Sequence, residues 1–327
     1  MTLLHLLTFT AGLPASPPHT SCEECAASFH RMGTSEGRAE YFGSLQLEAM
    51  PGEVYAYDRS APWAIAELIN RATGRDYREY IRTELLEPMG LVDIYCGNVL
   101  SGLRELGGAH HFVDSVTRGQ DSRPDMYGIV VPVLNRALVR SLMVPGGGAC
   151  ASAADLALFY QPLLNGGQVW AVEQQNSPLV TPATIARATA VHTDERHYEV
   201  ISPGSPRVTL PVLRGWMVEC AGDDVIQLSS PQHGMEGAMP GKVFRGCFGH
   251  SNSALAFGHN GAGGQAAWGD PSTGISFAFL TNTFSEPRKA RVVELSTLAN
   301  QCALARGDVR VAPAVTTTRA PPVTSRL

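Results

Sequence analysis

Lysine is nearly absent. Of the 25 Lys and Arg residues only two are lysines, Lys242 and Lys289. Chemistry that needs a lysine amine as base or covalent partner therefore has two candidates in the chain. A long apolar run is also missing: Leu3 to Leu13 is far below the ~20 residues a membrane span requires, and no later segment qualifies. There is no basic surplus, since the net charge is −5 and the pI about 6.1. That balance argues against a broad nucleic-acid surface. Cysteine is sparse and odd in number, seven in 327 residues. No disulfide framework follows, and the compartment stays open.

What remains is globular. The hydrophobic fraction is 44% and charged residues are 17%, with a mean hydropathy of −0.03. The chain is long enough for a large core or two lobes. Its first residues, "MTLLHLLTFTAGLPAS", invite reading as an export signal. No basic residue precedes the apolar run, however, and His5, Thr8 and Thr10 interrupt it.

Residues 14–37, rich in Pro, Ser and Cys, read as an irregular excursion. A helix then carries Ile65, Leu68, Ile69 and Ala72 at i, i+3, i+4, i+7 and stops at Gly74. Asp76 caps a second helix, with Glu79 at the capping-box position and Tyr77, Ile81 and Leu85 on one face. Ser152 opens a third, with Asp155 three residues on and Leu156, Phe159 and Leu163 facing inward. Near the end, "GGQAAWGDPSTGISFAFLTN" reads as strand, turn, strand around residues 270–274. Both faces of the second strand are fairly apolar, which suits a sheet covered on both sides. Ser285 caps a last helix with Val292, Leu295, Ala299 and Cys302 on its stripe. From about Leu304 the composition is that of a disordered tail.

Two motifs need weighing. "GTSEG" at 33–37 matches the G-x-S-x-G elbow but lacks the strand that should precede Ser35. His19, Cys22, Cys25 and His30 have spacings that tolerate zinc, against ordinary thiols in a loop; no metal and no cofactor are expected.

Five segments taken in order carry a stronger signal. They are "TLLHLLTFTAGLP", "PGEVYAYDRSAPWAIAELINRATG", "YREYIRTELLEPMGLVD", "VPGGGACASAADLALFYQPLLNGG" and "FGHNGAGGQAAWGDPSTGISFAFLTN". Together they resemble the serine β-lactamase-related hydrolases: class C β-lactamases, penicillin-binding D-Ala-D-Ala carboxypeptidases and esterases of the same fold. The opening stretch thereby reads as an interior family segment, which displaces the export signal. The resemblance implies an α+β, β-lactamase/transpeptidase-like fold. One lobe is mainly helical, roughly residues 14–225. The other is an antiparallel sheet with flanking helices, roughly 226–303, followed by the tail 304–327. It also implies acyl transfer through a serine ester. The nucleophile lies in S-x-x-K on a buried helix, a Tyr or Ser of a second motif relays protons, and K-T-G or H-x-G on a strand completes the site.

Against that pattern the chain departs sharply. Three residues before Lys242 stands Met239, and three before Lys289 stands Glu286, so these 327 residues contain no S-x-x-K. In the family that motif lies upstream of the segment with which this chain opens. The expectation is a truncated relative without its N-terminal strands and nucleophile helix, its apolar surface left uncovered. The second motif is Tyr57-Asp58-Arg59, keeping the phenol but placing Arg where the family has Asn. The third is His259-Asn260-Gly261, with the Ala262 N–H as candidate oxyanion donor. The expected ligand is a small ester, amide or peptide-like molecule. Three readings stay open: a relative without turnover, a binding or scaffold protein that keeps the cleft, and part of a hydrolase completed by sequence or a chain carrying S-x-x-K.

Overall fold

The computed structural model describes residues 1–14, 20–57, 60–97, 116–117, 126–169, 178–193, 215, 219–220, 248–261, 263–284 and 288–306. The chain starts with a short helix, α1 (Leu3–Leu7), capped reciprocally by the side chains of Thr2 and His5. Its exit is tight. Thr10 N–H donates to the His5 carbonyl at 2.8 Å, and Phe9 adopts φ 56°. Gly12 follows at φ 72°, where an added Cβ would lie 2.1 Å from the Ala49 carbonyl oxygen. The stretch then runs beside residues 48–56. Glu48 N–H donates to Gly12 O, Gly52 N–H to Thr10 O and Ala56 N–H to Phe9 O, at 2.8–2.9 Å. Only glycine fits at position 12, so Gly12→Ala is expected to cost about 1–3 kcal/mol. A urea melt checks this; an unchanged midpoint would contradict the close approach.

The excursion expected at residues 14–37 is wrong over most of its length. Residues Cys22–Met32 form α2 and Ser35–Ser44 form α3. Ser21 caps α2 by accepting from Glu24 N–H, and Thr34 caps α3 by accepting from Gly37 N–H, as short hydroxyl side chains do at this position. Cys25, Phe29 and Met32 recur at i, i+4, i+7 and are buried with Trp63, Tyr77 and Val133. The period was there, but the flanking Pro, Ser and Gly hid it. Residues 15–19 lie outside the described residues.

Helices α4 (Ser60–Thr73) and α5 (Tyr77–Ile81) occupy the expected stretches, but the buried face of α4 differs from the expected one: Trp63, Ala66 and Glu67 are buried, whereas Leu68 is exposed. Asp76 caps α5 by accepting from Arg78 N–H. A π-helical turn, Arg82–Leu86, extends α5. Burial pushes the Tyr77 phenol up to about 12; its hydroxyl donates to the carbonyls of Leu142 and Met143 at 2.7 and 2.9 Å. Between α3 and α4 lies a buried charge network. Arg38 Nε donates to Glu67 at 2.9 Å, Ser35 Oγ donates to both Glu67 oxygens, and Arg71 Nε donates at 2.7 Å. Desolvation raises the Glu67 pKa, but the hydrogen bonds from Arg71, Ser35 and Arg38 outweigh it and hold the carboxyl below its ordinary value.

Short elements carry the chain across: β1 (Ile94–Tyr95), β2 (Val116–Thr117), α6 (Val131–Leu134), α7 (Ala137–Leu142) and β3 (Cys150–Ala151), with β1 antiparallel to β3. Then comes α8 (Ala153–Leu164). Ser152 caps it as expected by accepting from Asp155 N–H at 3.0 Å. The Asp155 carboxylate reaches Asp93 N–H at 2.6 Å. Helix α9 (Pro182–Thr189) follows.

The main sheet is antiparallel, in the order β4 (Glu219–Cys220), β5 (Phe257–Gly261), β6 (Gln265–Asp270), β7 (Ile275–Phe279). Its first described strand precedes residue 226, so the expected lobe boundary is a few residues late. The turn at 270–274 sits where it was read. A last strand, β8 (Thr283–Phe284), pairs parallel with β2. Register sets the faces. His259 opposes Ala267, and Gly258 opposes Trp268. Ala266 and Trp268 therefore pack with Phe248 and Val292 on one face. Phe257 and Ala267 pack with Tyr160 of α8 on the other. The two-sided cover expected from the apolar alternation is present.

The covering helix on the first face is α10 (Arg288–Arg306). Its stripe differs from the expected one. Val292, Val293, Ser296 and Asn300 are buried and Cys302 is exposed. The reason is that the sheet offers polar partners: Trp268 Nε1 donates to Ser296 Oγ at 3.1 Å, and Asn300 Nδ2 donates to Ser251 O at 2.6 Å. A search for apolar spacing passes over such a face. The helix also continues to Arg306, past the expected tail start at 304, because Ala303, Leu304, Ala305 and Arg306 are strong helix formers. Ser285 and residues 307–327 lie outside the described residues.

Candidate active site

Two residues from opposite halves of the chain meet. The rings of Tyr57 and His259 lie with centroids 6.0 Å apart at 36°. Each is placed by local structure. On β5 the side-chain period of two puts His259 on the same face as Phe257. Phe257 lies under Tyr160, with ring centroids 6.1 Å apart, and His259 continues that face toward the helical lobe. From that lobe Tyr57 arrives on the segment pinned to residues 9–12. Its other neighbour is Phe9, at 4.9 Å and 41°. Phe9 in turn meets Tyr55 edge-on at 6.2 Å. The order is a stack, Phe9–Tyr57–His259, leading from the core to the surface. Phe9 is 5% exposed and Tyr57 46%.

The polar geometry of the histidine follows from its neighbour. His259 Nδ1 contacts the Asn260 carbonyl oxygen. A carbonyl only accepts, so Nδ1 is the donor in this contact. Asn260 and Gly261 are exposed at the end of β5. The next turn is formed by Gly263 and Gly264 at φ 88° and 93°, a region open to glycine at no steric cost. Of the residues the sequence singled out, Tyr57 and His259 thus meet, and Asn260 and Gly261 continue β5 from His259 to its end. Arg59 and Ala262 lie outside the described residues.

Other candidates fall elsewhere. Ser35 follows a helix rather than a strand and starts α3, so "GTSEG" is not a nucleophile elbow. Its Oγ is engaged with Glu67 at 2.7 and 2.8 Å. Cys25 is fully buried in the apolar core of the helical lobe, whereas His30 is exposed. Cys22 faces the carbonyls of Gly128 and Ile129. No group of three or more potential metal ligands occurs among the described residues; His19 is outside them. No described helix is long and apolar enough to cross a membrane. Sequence reasoning missed Phe9, whose only signal is an aromatic residue between two threonines.

A helical lobe and a two-faced antiparallel sheet, meeting where a tyrosine faces a histidine, define a β-lactamase/transpeptidase-like fold. Residues 1–299 match the family model described as Beta-lactamase, and the chain belongs to that family. The chain is 24% identical over 252 residues to the esterase/β-lactamase LipL of Mycobacterium tuberculosis, covering 69% of this chain and 47% of LipL. It thus spans about half the length of that relative. Among solved structures it resembles EstA from Arthrobacter nitroguajacolicus Rue61a, with a TM-score of 0.66 and 20% identity, over 94% of this chain and 73% of EstA. It also resembles a penicillin-binding protein homologue from Caulobacter crescentus, with a TM-score of 0.60 and 21% identity, over 91% and 71% of the two chains. Both structural likenesses speak to the fold.

Proposed function

We propose that the Tyr57–His259 edge is one wall of an acyl-group cleft, and that these 327 residues bind a small ester, amide or peptide-like molecule there without turning it over by the Ser-x-x-Lys route. The single observation that supports this reading best is the 6.0 Å approach of the two rings. In this reading the Tyr57 phenol is the remaining proton-relay group. His259 is the polarising side chain of the third motif. The backbone after Gly261, at Ala262, offers the oxyanion donor. Arg59 suits a carboxylate on the ligand, since its guanidinium is a planar fork of donors. Turnover is absent because neither lysine has a serine three residues before it.

The alternative, favoured by the 47% coverage of LipL, is that residues beyond these 327 supply the nucleophile. The cleft is common to both readings. It is tested by titrating the chain with benzylpenicillin and with p-nitrophenyl acetate, followed by chemical shifts at Tyr57 and His259. Saturable binding is expected, weakened about tenfold or more by Tyr57→Ala and by His259→Ala with the melting temperature kept. Binding indifferent to both substitutions would remove the cleft from this edge.

A further inference from the structure

Phe9 stands out on three counts. It is a bulky residue with φ 56°, a region such side chains rarely occupy. A left-handed conformation costs about 1–2 kcal/mol at a residue with a Cβ, so the surroundings must hold it. It is 5% exposed, within the cluster of Leu6, Ala11, Leu13, Tyr55 and Ala61. And its ring is the one described aromatic neighbour of Tyr57 on the core side, at 4.9 Å.

These facts fit together mechanically. The chain turns at Phe9 because its N–H reaches Leu6 O at 3.3 Å and its carbonyl accepts from Ala56 N–H at 2.9 Å. The second bond clamps the residue directly before Tyr57. The left-handed turn directs the Phe9 ring to the same side as the strand-like segment 55–57. Its face then limits the tilt of the Tyr57 ring, whose far side meets His259 at 6.0 Å. We infer that Phe9 is a positioning residue: its strained backbone and buried ring hold the Tyr57 ring against His259 and so set the geometry of the cleft wall. The inference rests on reading Tyr57 and His259 as cleft residues only for its functional consequence, since the positioning can be measured without a ligand.

The test uses the full chain and four variants. In Phe9→Ala the ring is lost while the backbone strain stays. In Phe9→Gly both are lost, so Phe9→Gly should be the more stable of the two. Phe9→His keeps a planar ring on a residue type that tolerates left-handed φ. Leu6→Ala, in the same cluster, is the control for destabilisation alone. The readout is the nuclear Overhauser contact between the Tyr57 and His259 rings, with the ring-current shift of the His259 Hε1 proton. Phe9→Ala and Phe9→Gly are expected to lose both, whereas Phe9→His and Leu6→Ala keep them. Penicillin binding should fall about tenfold or more in Phe9→Ala and recover to within about threefold in Phe9→His. An unchanged ring contact in Phe9→Ala, or its equal loss in Leu6→Ala, would overturn the positioning role. Loss of the ring contact with binding unaffected would leave the positioning role standing and remove the cleft function instead.

Discussion

Glu67→Gln is expected to destabilise the fold by about 3–5 kcal/mol, the range found when one partner of a buried ion pair is removed. Arg38 is the reason. It is 1% exposed, and its guanidinium lies between the rings of Trp63 and Tyr77, at 6.0 and 5.7 Å. One end donates to the Met32 carbonyl at 2.9 Å and the other to Glu67. A glutamine keeps the shape but leaves the charge without its counter-ion in a poorly hydrated site. Arg71 is different: its side chain is 66% exposed, and Arg71→Ala should cost at most about 1 kcal/mol. Replacing both buried partners, as in Arg38→Met with Glu67→Leu, should cost clearly less than Glu67→Gln, because no buried charge is then left over. The pH dependence has a definite sign. The Glu67 carboxyl is held below its ordinary value in the folded state. Its contribution is therefore present above the unfolded pKa and is lost as the pH falls through the folded one. Urea melts of wild type at pH 7 and at descending acid pH should show that loss, and Glu67→Gln should show less of it. Equal acid sensitivity of the two would show that the network carries little of the stability.

The parts of this fold that could be read from the sequence are those where several local signals agree. For α8, apolar spacing, the Ser152 cap and the terminating Asn165-Gly166-Gly167 point to the same boundaries. The β6–β7 hairpin adds a turn of Asp, Pro, Ser, Thr and Gly. Helix α2 was missed because its buried residues, Cys25, Phe29 and Met32, sit among serine, glycine and nearby prolines that signal loops, and α3 because it buries Gly37 and Arg38 rather than an apolar stripe. The α10 stripe was misplaced because Ser296 and Asn300 are buried for their hydrogen bonds rather than for apolar surface. The site was legible only through the family frame. Nothing local in "VYAYDR" or "FGHNG" tells that Tyr57 and His259 meet, because long-range contacts leave no mark on spacing. Phe9 was not legible at all. Its φ arises from the pairing of residues 9–12 with 48–56, and a phenylalanine in a left-handed turn has no compositional signature.

The proposed lack of turnover by these 327 residues rests on covalent chemistry. A serine acylated in this fold needs a base one turn along its helix, which lysine provides at i+3. Only Lys242 and Lys289 exist, preceded three residues earlier by Met239 and Glu286. The described serines nearest in kind are engaged otherwise. Ser35 donates to Glu67, a carboxylate already saturated by arginines and held at low pKa, which makes it a weak base. Ser60 is buried, with its Oγ 2.9 Å from the Tyr41 hydroxyl. An uncatalysed serine hydroxyl does not displace fluoride from a fluorophosphonate or open a β-lactam on a useful timescale. The most direct measurement is therefore the intact mass of these 327 residues after prolonged incubation with a fluorophosphonate and, separately, with benzylpenicillin. An unchanged mass under both reagents is the result expected of a cleft wall without its own nucleophile; one equivalent of adduct on any serine would contradict it.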